Sequence, residues 1–243
     1  MQAENAKQLQ QMKTIENKLL TLSEKLRKSN MPIFIELVGT PKSGKTTLKK
    51  SLQDLFSKVG IDVLTRQETA EYNPVAKQKT EYDIWMVLEL FKNISEDLSK
   101  DKGQVIIYDR GILDRLPWMK YDVLNGKMTE SDFKRIHQLY DTDIFKKYKP
   151  VCKIFVTSPD LSIQRKGGPG TFVNQKSIQQ YNQLLQYQIP EIKKRAGYSD
   201  IVYTDTYQGN IRGFIIDNTC DILNGIEKEL ESIENSGPIV PGE

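Results

Sequence analysis

Met12, Ile15, Leu19, Leu22 and Leu26 recur at alternating intervals of three and four, inside a stretch 1–30 that contains no Gly or Pro. This is the seam of an amphipathic helix. At about two heptads it is near the length at which an isolated helix is marginal in water. Two readings stay open: a helix packed on its own domain, or a short self-associating coiled coil that would make a homodimer. Ser29-Asn30-Met31-Pro32 then breaks the helix.

From there strand and helix patterns alternate. Ile33–Val38 is a buried strand interrupted only by Glu36, and Lys45–Lys58 has a helical period that Gly60 ends. Ile61–Thr65 predicts a second strand. Thr80–Leu98 predicts a helix with its core stripe on Ile84, Val87, Leu88, Phe91, Ile94 and Leu98. A third strand follows at Gln104–Tyr108, then helical stretches near 111–124 and 130–148, and a fourth strand at Val151–Thr157. A polar loop containing RKGGPG leads to a long helix at 175–195, a fifth strand at Asp200–Thr204, a last helix near 209–234 and the tail SGPIVPGE. Near-continuous apolar strands separated by helices predict a parallel sheet covered on both faces. Right-handed crossovers would wind it into a three-layer, doubly wound, five-stranded α/β fold. Ligands in such folds bind at the carboxyl ends of the strands. The expected division is an N-terminal helical extension at 1–30, one domain at 31–235 and a flexible tail at 236–243.

Composition narrows the setting. A hydrophobic fraction of 38% supports a real core, and a net charge of +3 with scattered basic residues is too mild to argue for nucleic-acid binding. Cys152 and Cys220 are far apart and lack metal-ligand spacing, so neither a disulfide framework nor structural zinc is expected. No run approaches the ~20 apolar residues of a membrane span, and the polar N-terminus is unlike a signal peptide. The expected location is the cytoplasm, with no membrane partner.

The chemistry concentrates at VGTPKSGKTT. A strand, then Gly39-x4-Gly44-Lys45-Thr46, then a helix is the context in which backbone N–H groups curl around a polyphosphate. Gly39, Thr40, Pro41, Lys42, Ser43, Gly44, Lys45, Thr46 and Thr47 are therefore the expected polyphosphate-binding residues, with Lys45 on the β- and γ-phosphates and Thr46 on Mg²⁺. Such a loop needs a carboxylate at the end of a nearby buried strand to complete the metal site, and Asp109 after QVIIY supplies it.

On these motifs the chain resembles the P-loop nucleoside and nucleoside-monophosphate kinase superfamily, deoxynucleoside kinases and thymidylate kinase in particular, over roughly residues 32 to 235. The resemblance implies a P-loop kinase fold, ATP and Mg²⁺ as cofactors, and γ-phosphate transfer to a small-molecule acceptor, a nucleoside or nucleoside monophosphate. In VLTRQETAE it implies that Glu68 meets the accepting end of the substrate, with Glu71 a weaker alternative and Arg66 a grip for a substrate phosphate. In YDRGILDR it implies substrate or phosphate binding by Arg110, and metal binding or base catalysis by Asp109. The relatives follow this pair with Ser or Tyr, and here Gly111 stands instead. Asp114 and Arg115 read as structural ion-pair partners. In SPDLSIQRKGGPGTF it implies a lid whose Arg165 and Lys166 close over ATP, with Gly167, Gly168 and Gly170 for flexibility. Two departures bear on the acceptor: Arg66-Gln67-Glu68-Thr69 replaces Arg-Glu-Pro, and helix 80–98 has no base-reading Gln. That helix instead offers Tyr82, Trp85, Met86 and Glu89 opposite its predicted core stripe, as a pocket wall or as packing against the helix carrying Trp118.

Other readings carry less. The guanine-reading motif of a switch GTPase finds only Asn174-Gln-Lys176-Ser, which lacks the terminal Asp. A polynucleotide 5′-kinase would use KKYK at 146–149 and the tyrosines of YNQLLQY, and a P-loop ATPase would act with a macromolecular partner. Nucleic acid is thus open as a partner without being favoured. His137, mid-helix, is given no catalytic role.

Overall fold

Five strands, β1 (Ile33–Gly39), β2 (Val63–Arg66), β3 (Val105–Asp109), β4 (Val151–Val156) and β5 (Tyr198–Tyr203), form one parallel sheet in the order β2-β3-β1-β4-β5. The computed structural model describes residues 2–29, 31–79, 81–100, 104–170, 173–203 and 210–235. Within them the helices are α1 (Gln2–Lys28), α2 (Lys45–Lys58), α3 (Glu81–Leu98), α4 (Ile112–Leu124), α5 (Glu130–Leu139), α6 (Asp143–Lys146), α7 (Pro159–Lys166), α8 (Gln175–Arg195) and α9 (Ile211–Asn235). The tail 236–243, Asn30, Thr80, Thr204 and residue 209 lie outside the described residues.

Strand periodicity divides β1 between two cores. Ile33, Ile35 and Leu37 join Val105 and Ile107 of β3 beneath α1, α2 and α9. Phe34 and Val38 face the opposite way, toward α3, α4, α5 and α8. The predicted three-layer α/β sandwich is therefore the observed fold. Glu36 falls on the second face, fully buried. Lys153 is equally buried in β4 and reaches Asp200 of β5 at 2.7 Å and Asp221 of α9 at 3.0 Å, which satisfies its charge where a lone ammonium would not be tolerated.

In α1 the seam residues Ile15, Leu19, Leu22 and Leu26 are buried against the same core as α9. Each such burial is worth about 1.5–3 kcal/mol, and Lys18 adds an ion pair to Glu227 at 3.2 Å. The seam is thus consumed within the chain.

Three expectations need correction. The core stripe of α3 is rotated: Ile84 and Leu88 are 38% and 56% exposed, while Tyr82, Asp83, Met86, Leu90, Asn93 and Asp97 are buried with Val87, Phe91 and Ile94. Apolar period alone misses this because Asp83 and Asp97 go inside paired to arginines from other elements. The stretch 130–148 is two helices, α5 and α6, separated by Tyr140–Thr142, where Thr142 takes the N-cap position. The polar loop before α8 begins as a helix, α7: Ser158 caps it by accepting from the Leu161 N–H, Pro159 opens it and Gly167 closes it in the left-handed conformation.

Candidate active site

The end of β1 runs against β4 so closely that a Cβ on Gly39 would lie 2.0 Å from the Phe155 carbonyl oxygen, at a φ of 131°. Only glycine fits there. The chain then turns through Thr40 to Gly44, pinned from behind. Thr40 N–H donates to the Phe155 carbonyl at 2.9 Å, the Thr40 hydroxyl to Asn182 of α8 at 2.6 Å, and Ser162 of α7 to the Pro41 carbonyl at 2.7 Å. Lys45 opens α2 and lies across its own loop, donating to the carbonyls of Gly39 at 2.9 Å and Thr40 at 2.7 Å. Burial pushes its ammonium down to about 7, assisted by the neighbouring Arg110 charge and opposed by Asp114, Asp109 and Glu68.

Pro41 through Thr47 line a cavity of about 700 Å³, whereas Gly39 and Thr40 sit beneath it as support. The Thr46 hydroxyl donates to Asp109 Oδ2 at 2.8 Å, and Lys49 Nζ approaches the same oxygen at 3.1 Å. Burial disfavours the Asp109 carboxylate, yet Lys45, Lys49 and Thr46 together hold it below the usual carboxylate range. A hydroxyl and an ionised carboxylate this close, both facing the cavity, suit Mg²⁺, which takes one or two protein oxygens and completes its shell with phosphate and water. Among the described residues no cluster of three or more His, Cys, Asp or Glu forms a cage of its own. Lys49, on the inner turn of α2, carried no sequence signal beyond its helical position four residues after Lys45.

Glu68 ends the second strand's loop and opens a short 3₁₀ turn, Thr69–Glu71. Its Oε1 lies 3.1 Å from Arg110 Nε, and Arg110 Nη1 reaches Asp114 Oδ2 at 2.9 Å. Arg110 has a φ of 66°, unusual for a residue with a side chain. Burial works against its charge, but Asp114 and Glu68 raise its pKa above the ordinary arginine value. Glu71 also lines the cavity. Arg66 lies outside the cavity lining: its Nε binds Asp97 Oδ2 at 2.9 Å, an oxygen shared with the Tyr108 hydroxyl at 2.7 Å. Asp97 lies on the interior side of α3, and this buried acid captures the arginine.

Beyond Glu68 the cavity is walled by Tyr82, Asp83 and Met86 of α3 and by Arg115, Trp118 and Asp122 of α4. Tyr82 and Met86 are thus pocket wall, while Trp85 meets Tyr72 edge-on at 5.6 Å and Glu89 pairs with Lys92 at 2.7 Å. Trp118 stacks on Tyr181 at 4.4 Å. Arg115, 7% exposed, is ion-paired to Asp83, and its Nε has no hydrogen-bond partner among the described residues. Burial raises the Asp122 pKa despite the attraction of Arg115 and Lys127. Asp114 and Arg115 are the expected structural ion-pair partners. Both make ion pairs and both also line the cavity. Asp83 and Asp122 were missed; the available signal was their helical phase, Asp83 three residues before Met86 and Asp122 four after Trp118.

Arg165, on the last turn of α7, lines the cavity and donates to the Lys42 carbonyl at 3.3 Å, while Lys166 is exposed. Asn174 serves as the N-cap of α8, accepting the Ser177 N–H at 3.0 Å. Tyr148 of the KKYK stretch and Tyr181 of YNQLLQY are buried, whereas Tyr187 is 75% exposed. His137 packs on Tyr140 at 5.7 Å, away from the cavity.

No protein-family model matches the chain, and no curated protein does. Its fold does match solved structures. The deoxyadenosine kinase from M. mycoides with bound dCTP superposes with a TM-score of 0.56 at 18% identity, over 79% of this chain and 99% of the other. Thymidylate kinase from Ehrlichia chaffeensis gives 0.53 at 17% identity, over 79% and 99%. The NadR protein in complex with NR gives 0.54 at 15% identity, over 81% of this chain and 50% of the other. The chain has the fold shared by P-loop nucleoside and nucleotide kinases.

Proposed function

We propose that this chain is a Mg²⁺-dependent kinase that transfers the γ-phosphoryl group of ATP to the hydroxyl of a small acceptor, a nucleoside in preference to a nucleoside monophosphate. The observation that carries the reading is that one cavity joins Lys45, Thr46 and Asp109 to Glu68 and continues into a pocket walled by Tyr82, Met86, Trp118 and the Arg115–Asp83 pair. Its volume of about 700 Å³ is in the range of small-molecule sites.

Lys45 and the loop N–H groups hold the polyphosphate, Thr46 and Asp109 hold Mg²⁺, and the metal supplies charge neutralisation on the phosphate oxygens when bound. Glu68 accepts the acceptor hydroxyl's proton as its oxygen bonds to the γ-phosphorus. The bond from that phosphorus to the β–γ bridging oxygen breaks, and ADP leaves. Arg110 and Arg165 offset charge on the transferring group. Arg110 lies between two carboxylates, Glu68 and Asp114. An acceptor phosphate dianion would compete with these two acids for Arg110, whereas a neutral hydroxyl would leave both pairs in place. This is the argument for a nucleoside.

The test is ATP consumption and product chromatography over nucleosides and their monophosphates. The expected product is a nucleoside monophosphate. Turnover confined to monophosphates would reverse the preference, and no turnover with either class would end the acceptor assignment.

A further inference from the structure

Glu36 sits mid-strand in β1, fully buried, on the sheet face that carries α4, and the transfer scheme makes no use of it. An acid in that position is costly unless it is partnered. Its Oε1 accepts the Asp114 N–H at 3.0 Å, and the carboxyl also takes the Leu113 N–H, so it caps the first turn of α4. Its Oε2 accepts the Tyr148 hydroxyl at 2.8 Å. Burial pushes the carboxyl up to about 8 against the pull of these donors, so a neutral amide is a close substitute for it near pH 7.

Gly111 is fitted to the same carboxyl. Its φ of −84° is open to any residue, yet an added Cβ would lie 2.5 Å from Glu36 Cδ. A side chain at position 111 would force the Glu36 carboxyl to move.

The turn that Glu36 caps presents Asp114 to both halves of the site. Asp114 Oδ1 accepts the Gly39 N–H at 2.7 Å and the Tyr181 hydroxyl at 2.9 Å, and Oδ2 accepts Arg110 at 2.9 Å. One carboxylate thus fixes the first residue of the phosphate loop and the cation beside Glu68. We infer that Glu36 is a positioning residue that acts through Asp114 to set the loop's affinity for MgATP, without touching substrate. The inference rests on reading the loop as an ATP site.

MgATP affinity of the full chain, measured by calorimetry at a temperature where circular dichroism shows every variant folded, tests this without an acceptor. Glu36→Ala should weaken binding about ten-fold, the equivalent of one lost buried hydrogen bond, and Glu36→Gln should retain most of it. Gly111→Ala should weaken binding in the native background and have no effect beside Glu36→Ala, where the space is free. Glu36→Ala should add nothing to Asp114→Ala. Additive effects of Glu36 and Asp114, a Gly111→Ala loss equal in both backgrounds, or native affinity in Glu36→Ala would each overturn the inference. Should Glu36→Ala not fold, Gly111→Ala and Glu36→Gln decide alone, and native affinity in a folded Gly111→Ala protein refutes it. A native chain without MgATP affinity sinks this inference and the nucleotide reading together. One that binds MgATP but phosphorylates no nucleoside sinks only the acceptor reading.

Discussion

Each side chain around the phosphate loop has a distinct expected signature. Lys45→Ala and Asp109→Ala should abolish transfer in protein that still melts cooperatively. Glu68→Gln should lower turnover by about 10²–10⁴-fold, the usual worth of a general base, with MgATP affinity nearly unchanged. Native turnover in any of the three, followed by product chromatography, would move its role elsewhere. Lys45 also predicts a proton count. Its pKa is about 7 in the fold against an ordinary 10.5, and an adjacent polyphosphate favours the charged form. Between those values bound protein holds a proton that free protein lacks, so ATP binding takes up a proton and affinity falls as pH rises through the window. Calorimetry in buffers of different ionisation enthalpy at pH 8 should show the uptake, and Lys45→Ala should lose it. The loop was legible in the sequence because its function is backbone geometry in ten contiguous residues. Asp83 and Asp122 were not legible, because they face one cavity only once α3 and α4 lie side by side.

Among the elements, α3 shows why periodicity misled. A helix buried on one side places apolar residues at intervals of three and four, but α3 also carries Asp97, fully buried and shared by Arg66, Tyr108 and Lys100. The donors outweigh burial and hold its carboxyl below the ordinary value. Asp97→Ala should therefore destabilise the fold by on the order of 3 kcal/mol, since Arg66 and the buried Tyr108 hydroxyl lose their partner. Denaturant unfolding checks this, and a change under about 0.5 kcal/mol, the size of an ordinary surface substitution, would mean water replaces the carboxylate freely. The same cluster holds Arg66 outside the cavity lining, which no reading of VLTRQETAE by itself could reveal. The strands were easier to place: β3 and β4 are buried on both faces and read as apolar runs, so they fell within a residue of their expected ends. Helix α7 is written in its capping residues, Ser158, Pro159 and Gly167.

For the molecule as a whole, α1 closes the lower core by packing on α9, so these two helices depend on each other. Leu22→Ala, at a position 2% exposed, should cost about 2–5 kcal/mol and lower the melting temperature without displacing the loop. Unaltered stability in denaturant would mean α1 is dispensable to the core. This pairing also has a consequence for biosynthesis. A ribosome makes the seam of Ile15, Leu19, Leu22 and Leu26 well before α9, so the stripe waits without that cover for roughly 10–40 s of elongation. During that interval it is a two-heptad adhesive on every nascent chain, and neighbouring chains on one message carry the same adhesive. Completed protein hides the stripe; translation is when a chaperone has reason to hold it.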